Sequence, residues 1–249
     1  MIPKIIHYCW FGRNPKPIQI QKCIQSWSKH CPEFRFIEWT EDNFDLKSSP
    51  LYVQQAYSEK KWAFVADYVR FYALVKYGGI YMDADMELLK PLTPFLQHHA
   101  FTSTEDGQHI SAGIMGCKPG FKLFQTFMEY YKERSFYRPD GRLDTTTVVV
   151  MMTEKCLQMG YKSVNTYQEF AGLAVYPSEY FYPLSHIDDV MRKTENTYAV
   201  HWFAGSWVSR EEKKAFSRMK ARQKIKRIIL SLTGENGLQK LRLIIHRKK

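Results

Sequence analysis

The run Gly78-Gly79-Ile80-Tyr81-Met82-Asp83-Ala84-Asp85 constrains this chain more than any other segment. Just upstream, Val65, Val69, Tyr72 and Ala73 share one apolar stripe between Trp62 and Tyr77, and Lys76 takes the next position on it. Such spacing predicts a helix, with a cation in the last turn where the helix dipole favours it. Most of its other positions are apolar too, so the helix should be buried on more than one side. Gly78-Gly79 is a helix stop, and Ile80-Tyr81-Met82 is a short apolar strand that carries the chain into two acids. A buried helix, a glycine stop and a strand in immediate succession form one unit of an α/β fold.

The rest of the chain follows the same alternation. Ile5–Trp10 and Phe34–Trp39 suit strands, and Ile20, Cys23, Ile24 and Trp27 mark a helix that Cys31-Pro32 ends. Phe124, Phe127, Met128 and Tyr131 mark another helix. Residues 144–159 suit a strand by their Thr/Val run and a helix by their length and closing Gly160, the helix being preferred. Ala174–Tyr176 and Tyr180–Tyr182 suit short extended pieces. Strands alternating with helices imply a largely parallel sheet. With 249 residues and 45% hydrophobic content the chain can bury a sizeable core, which excludes a disordered tail protein. Five cysteines without a CxxC pair suggest neither a disulfide framework nor a zinc knuckle. There is no GxGxxG and no Walker A loop, so any nucleotide phosphates are held by other means.

Asp83 and Asp85 are two apart in what reads as an extended segment, so both carboxylates can leave the same face at a strand end, where ligands gather in open α/β sheets. Acids held that close repel unless a cation lies between them, and a hard divalent ion with oxygen ligands, Mg²⁺ or Mn²⁺, is the natural occupant. A solvated acidic turn is the alternative. Asp67 and Arg70 lie one helical turn apart, roughly opposite the Val65/Val69/Tyr72 stripe. They are either an ordinary surface ion pair or an acid and a base at a sugar-phosphate pocket.

Taken together, Ala66-Asp67-Tyr68-Val69-Arg70, Leu74, Tyr77-Gly78-Gly79-Ile80-Tyr81 and Asp83-x-Asp85 resemble the DXD sugar-binding region of family 32 glycosyltransferases, to which the clostridial glucosylating toxins are related. Ile2–Trp10, Trp27, Phe36–Thr40 and His201–Trp207 match in order, so the likeness covers about residues 2–209. It implies a GT-A-type fold, a Rossmann-like mixed sheet flanked by helices, and retaining transfer of a hexose or N-acetylhexosamine from a UDP-sugar. Trp10 matches the tryptophan that stacks on uracil, Asp67 a residue bonding donor-sugar hydroxyls, and Arg70 one that steadies the sugar and the departing phosphate. Tyr81 and Asp83 match positions near the ribose, Asp83 also at or one water from the metal. Asp85 matches the direct metal ligand and His201 a histidine that completes the metal shell. Trp207 resembles a tryptophan on a loop closing over the donor. Read as residues alone, Trp10 could be a buried strand aromatic, His201 a core histidine and Trp207 a packing residue. Ala112 stands where the family has asparagine, and Asp144-Thr145-Thr146-Thr147 replaces a Thr-Gly-Pro-like turn. These departures leave donor and acceptor identity open.

The net charge of +11 sits in the tail: residues 210–249 hold 14 Lys and Arg against 3 acidic residues, and residues 1–209 balance. A catalytic domain over 1–209 and a basic helical tail over 210–249 are the expected organisation. Ile225, Ile228, Ile229 and Leu232, then Leu238, Leu241 and Ile245, form two apolar stripes amid cations, the pattern of helices on an anionic membrane surface. Docking of the stripes on the catalytic domain, or a disordered basic end, are the alternatives. The opening residues lack a signal-peptide core and no apolar run is long enough to span a bilayer, so a cytoplasmic enzyme on the inner face of the membrane is expected. A lipid-linked saccharide, as in capsule or other polysaccharide biosynthesis, would be its acceptor. Competing readings are an inactive sugar-nucleotide-binding relative, a nucleic-acid binder using the tail, and an aspartate-nucleophile phosphatase. The second leaves the four charged residues unexplained. Against the third, Asp85-Met86-Glu87 lacks the Thr/Ser-type position that such enzymes place after the second acid.

Overall fold

The computed structural model describes residues 1–205, of which Met1–Ser185 and Met191–Ala204 form one unit. In chain order it contains β1 (Ile5–Cys9), α1 (Ile18–His30), β2 (Arg35–Trp39), α2 (Leu51–Ser58), α3 (Trp62–Tyr77), β3 (Gly79–Met82) and β4 (Met86–Leu88). There follow β5 (Ala100–Ser103), β6 (Ile114–Cys117), α4 (Lys122–Glu129), α5 (Val148–Gln158), β7 (Gln168–Phe170), β8 (Leu173–Tyr176) and β9 (Ala199–His201). Seven strands make one sheet in the order β2-β1-β3-β6-β5-β8-β7, and β4 and β9 pair separately.

The α/β class and the mixed sheet expected of a GT-A-type fold are both present. The largely parallel sheet suggested by strand–helix alternation is not. β1 pairs parallel with β2 and β3, and β5 with β8, but β6 runs antiparallel to both its neighbours and β7 antiparallel to β8. The cause lies in residues 104–113, a loop with no helix to carry the chain back for a parallel return, so β6 folds back against β5.

Alternation along the strands divides the interior into two layers. Ile6, Tyr8, Ile80, Met82 and Ile114 face a cluster that includes Trp27 of α1, while Tyr81, Met115 and Cys117 face one built with α2 to α5. Two contacts of α1 support the chain beyond the acidic pair. Trp27 Nε1 donates to the Met86 carbonyl at 2.7 Å, and Ser26 Oγ accepts from the Leu88 N–H at 2.8 Å.

The helix expected from Trp62 to Tyr77 has those bounds, and Gly78 (φ 64°) returns its N–H to the Leu74 carbonyl at 2.8 Å. Gly79 has φ 97°, and a Cβ there would lie 2.6 Å from the Ile5 carbonyl oxygen, so only glycine lets β3 start this close to β1. Residues 148–158 are helical, as preferred, with Thr147 Oγ1 accepting from the Val150 N–H. Two further expectations fail. Tyr180–Tyr182 is not extended: Ser178–Tyr180 is a 3₁₀ turn following Pro177, and the Tyr182 N–H closes it on the Ser178 carbonyl at 2.7 Å. Asp83–Asp85 is not extended either, as described below. The tail expected over 210–249 lies outside the described residues. Among the described residues no helix is long and apolar enough to cross a membrane.

Candidate active site

The acidic pair sits on a turn. β3 ends at Met82, and the Asp83 N–H still pairs with β6 by donating to the Gly113 carbonyl at 2.8 Å. The Met86 N–H then donates to the Asp83 carbonyl at 3.0 Å, folding Asp83–Asp85 into a tight connection before β4. The extended reading of this segment is therefore corrected, because the chain reverses where a strand would have continued. The turn still gathers the two carboxylates.

β9 supplies the third group. It pairs antiparallel with β4 in the register Met86↔His201, which lays the imidazole beside Asp85. His201 Nε2 lies 3.0 Å from Asp85 Oδ1, Asp85 Oδ2 accepts from the Ala204 N–H at 2.8 Å, and the Asp85 carbonyl accepts from the Trp202 N–H at 3.2 Å. One ligand atom each from Asp83, Asp85 and His201 lies within 4.8 Å of the others. His201 Nδ1 is buried and has no hydrogen-bond partner among the described residues. Two carboxylates and an imidazole with an orphaned nitrogen fit a divalent cation of the Mn²⁺ or Mg²⁺ kind.

On the other side of Asp83 lies the Asp67–Arg70 pair, and it is no surface pair. Both residues are 5% exposed. Arg70 Nη2 donates to Asp67 Oδ1 at 2.8 Å, Nη1 to the Ala112 carbonyl at 2.6 Å and Nε to the Ala66 carbonyl at 3.3 Å. Arg70 Nη1 also lies 3.5 Å from Asp83 Oδ1, and its guanidinium rests 4.7 Å from the centre of the Tyr81 ring. Tyr81 Oη donates to the same Asp83 oxygen at 3.0 Å. The Val148 N–H, first in α5, bonds the Asp67 carboxylate. Arg70 thus links two acids, and its donors have partners.

Burial raises the Asp67 pKa to about 6, because desolvation outweighs the neighbouring Arg70 charge. For Arg70, burial alone would lower the pKa, but Tyr81, Asp83 and Asp67 raise it well above the ordinary value, so it stays charged. Burial likewise works against ionised Asp85, yet the His201 charge and its hydrogen bonds hold that carboxyl below the usual range. Burial pulls His201 down, and Asp85 overrides it to leave the pKa at about 9. The metal-free protein therefore holds Asp85 and His201 as an ion pair at neutral pH. A group raised from 6.5 to about 9 on folding stabilises the fold fully below pH 6.5 and loses that contribution as pH rises through about 9. Since a metal can use the imidazole only after the proton leaves, apparent Mn²⁺ affinity is expected to rise about tenfold per pH unit above neutrality and to level off near the His201 pKa. Calorimetric titration at several pH values measures this, and a flat profile would remove His201 from the ligand set.

Of the residues singled out from sequence, Asp67, Arg70, Tyr81, Asp83, Asp85 and His201 come together. Trp10 follows β1 along the same sheet edge, since His7 pairs with Tyr81. Its ring is partly exposed, with Nε1 donating to the Asn14 carbonyl at 2.7 Å and Lys16 Nζ 5.5 Å from the ring centre. Trp207 lies outside the described residues. The departure at Ala112 spares the Arg70 contact, because a backbone carbonyl makes it.

The Ser111–Gly116 segment, expected near the sugar or acceptor, does line the site, whereas sequence reasoning misses Tyr182 and two backbone donors. Ser111 Oγ donates to Tyr182 Oη, and the Tyr182 ring meets His201 edge-on at 5.3 Å. A Cβ on Gly113 would lie 2.5 Å from Tyr182 Oη and 2.9 Å from Asp83 Oδ2, so this position must be glycine for the two to approach. The Val148 and Ala204 N–H groups act through backbone and carry no side-chain signature.

Residues 17–102 match the family described as "Glycosyltransferase sugar-binding region containing DXD motif". Inositol phosphoceramide mannosyltransferase 3 of Schizosaccharomyces pombe is 32% identical over 126 residues, covering 48% of this chain and 34% of that protein. Mannosyl phosphorylinositol ceramide synthase CSH1 of Saccharomyces cerevisiae is 30% identical over 144 residues, covering 56% and 38%. The chain spans little more than a third of the length of these two relatives. Among solved structures, "PaToxG Glycosyltransferase" aligns with a TM-score of 0.48 at 16% identity, over 63% of this chain and 69% of that one.

Proposed function

This chain belongs to the DXD-containing glycosyltransferases, whose sugar-binding region it carries over residues 17–102, and we propose from that premise that it moves a hexosyl group from a nucleoside-diphosphate sugar to an acceptor hydroxyl. The observation that carries the reading is the set of Asp83, Asp85 and His201 ligand atoms within 4.8 Å of one another, beside a buried Asp67–Arg70 pair. A divalent cation held there would supply Lewis-acid neutralisation of the leaving diphosphate. The protein's own groups account for the rest. Arg70 places a fixed, desolvated charge beside Asp83, on the side of the diphosphate. Asp67, held by Arg70 and the Val148 N–H, orients a donor-sugar hydroxyl and with it the anomeric carbon. Trp10 and Tyr81 are assigned to the nucleoside, and Trp207 to a loop over the donor.

We read the transfer as retaining. On one face of the sugar the bond from C1 to the phosphate oxygen breaks and the bond to the acceptor oxygen forms, and the acceptor proton passes to the departing phosphate. This version needs no carboxylate nucleophile, which suits a site whose buried acids are already engaged with Arg70, Tyr81 and His201. A UDP-sugar carrying a hexose or N-acetylhexosamine is the donor we favour. The mannosyltransferase names of the fungal relatives add a mannosyl donor to the test. The acceptor is a glycan or a lipid-linked saccharide of polysaccharide biosynthesis, with residues 210–249 on an anionic membrane surface. A panel of UDP- and GDP-sugars scored for nucleotide release with and without Mn²⁺ decides it. Metal-dependent release from at least one donor is expected, and release from none would overturn the reading.

A further inference from the structure

A second charged cluster lies outside the site just described. Arg134, Ser135, Tyr137, Arg138, Pro139 and Asp144 line a cavity of about 390 Å³, and Asp144 is the one acid among them. Asp144 has a side chain only 7% exposed, and two guanidinium groups share it. Arg134 Nη2 donates to Oδ2, and Arg138 Nη2 lies 3.4 Å from Oδ1. Oδ1 also accepts from the Thr146 N–H at 3.2 Å and from Thr146 Oγ1 at 2.8 Å, so the carboxylate is crowded with donors.

The cations are not equally satisfied. A guanidinium carries five N–H donors in a planar fork. Arg134 Nε is buried with no hydrogen-bond partner among the described residues. Arg138, half exposed, makes one long contact to Asp144. Arg134 lies 4.4 Å from the centre of the Tyr130 ring, and Lys155 Nζ lies 5.3 Å from the same ring. Two guanidinium groups about one carboxylate, with an orphaned donor, leave an excess of positive charge in the lining. A multiply charged, tetrahedral acceptor of hydrogen bonds matches that excess better than a single carboxylate does.

The cavity is tied to the sugar site by the chain itself. Val148, whose N–H bonds Asp67, is four positions on from Asp144, so the two points are at most about 14 Å apart along the chain. That span suits a saccharide unit with a phosphate attached. We propose that this cavity binds a phosphate group carried by the acceptor, a reading that rests on the glycosyltransferase function for its word "acceptor" but not for the phosphate. A soluble phosphorylated glycan and the phosphodiester of a lipid headgroup present the same chemistry.

The test uses the full chain, freed of metal, titrated with inorganic phosphate, and separately sedimented with phosphatidylcholine vesicles with or without phosphatidylinositol. Arg138→Gln is the principal variant, since it leaves the buried Arg134–Asp144 contact in place. Thermal melting checks that it folds, and Lys155→Gln provides a second, milder removal of charge. Wild type should bind phosphate saturably, and Arg138→Gln should weaken that binding roughly tenfold, as expected for loss of a charged hydrogen bond. A loss of less than about threefold in Arg138→Gln, or no saturable binding by wild type, overturns the proposal. Preferential sedimentation of wild type over Arg138→Gln with phosphatidylinositol vesicles assigns the phosphate to a lipid headgroup. A response in the phosphate titration alone assigns it to a soluble glycan. Asp85→Ala keeps phosphate affinity while losing metal-dependent nucleotide release, so a failed glycosyltransferase reading and a failed phosphate cavity register in different assays.

Discussion

Asp85→Ala is expected to lower metal-dependent sugar transfer by roughly a hundredfold to a thousandfold, the range seen when a group stabilising transition-state charge is removed. The carboxylate does two jobs. It is one of three groups positioned to hold the cation, and it ties the end of β9 to the turn through His201 and the Ala204 N–H. Alanine removes both, so Asp85→Asn is the companion variant: it can still accept from Ala204 while losing the charge. If metal binding is what matters, the two variants lose activity together. If the tether matters most, asparagine recovers much of what alanine loses. Initial rates of nucleotide release at saturating Mn²⁺ measure this, and transfer within tenfold of wild type by Asp85→Ala would sink the assigned role.

Arg70→Met should cost about 3–5 kcal/mol of stability, the usual penalty for breaking a buried ion pair by removing one partner. Methionine fills a similar volume but leaves Asp67, Asp83 and the Ala112 carbonyl without their shared donor. Asp67, already raised to about 6, would rise further and take up a proton at neutral pH. Chemical denaturation gives the stability change. Asp67→Asn in the Arg70→Met background should recover part of it, because an uncharged amide tolerates burial better than an abandoned carboxylate. Transfer should remain depressed in the double variant, which separates the role in the site from the role in the fold. A single variant as stable as wild type would mean that the buried acids find another cation.

Much of this site is legible from the chain because one short segment holds it. The α3 stripe, the Gly78-Gly79 stop and the strand into Asp83 are local patterns, and local geometry follows them. The turn at Asp83–Asp85 is less legible, since a spacing of two fits a strand equally well and only the Met86 N–H decides otherwise. His201 belongs to a strand of three residues, too short for any periodicity, and family likeness alone marks it. Burial of the Asp67–Arg70 pair depends on α5 and β6 closing over α3, which a helical wheel cannot show. Tyr182 has no cue at all, because Ser178–Tyr180 turns where alternation suggests a strand. Backbone donors such as Val148 and Ala204 have no residue-type signature to find.

The pairing of β9 with β4 gives the centre a built-in order of assembly. Asp85 and His201 stand 116 positions apart, so on the ribosome the two acids emerge long before the imidazole. Unzipping this three-residue ladder would withdraw a ligand without disturbing the seven-stranded scaffold. Ion retention therefore serves as a gauge of whether β9 is docked on β4: separation of the two should show as metal leakage before any loss of secondary structure.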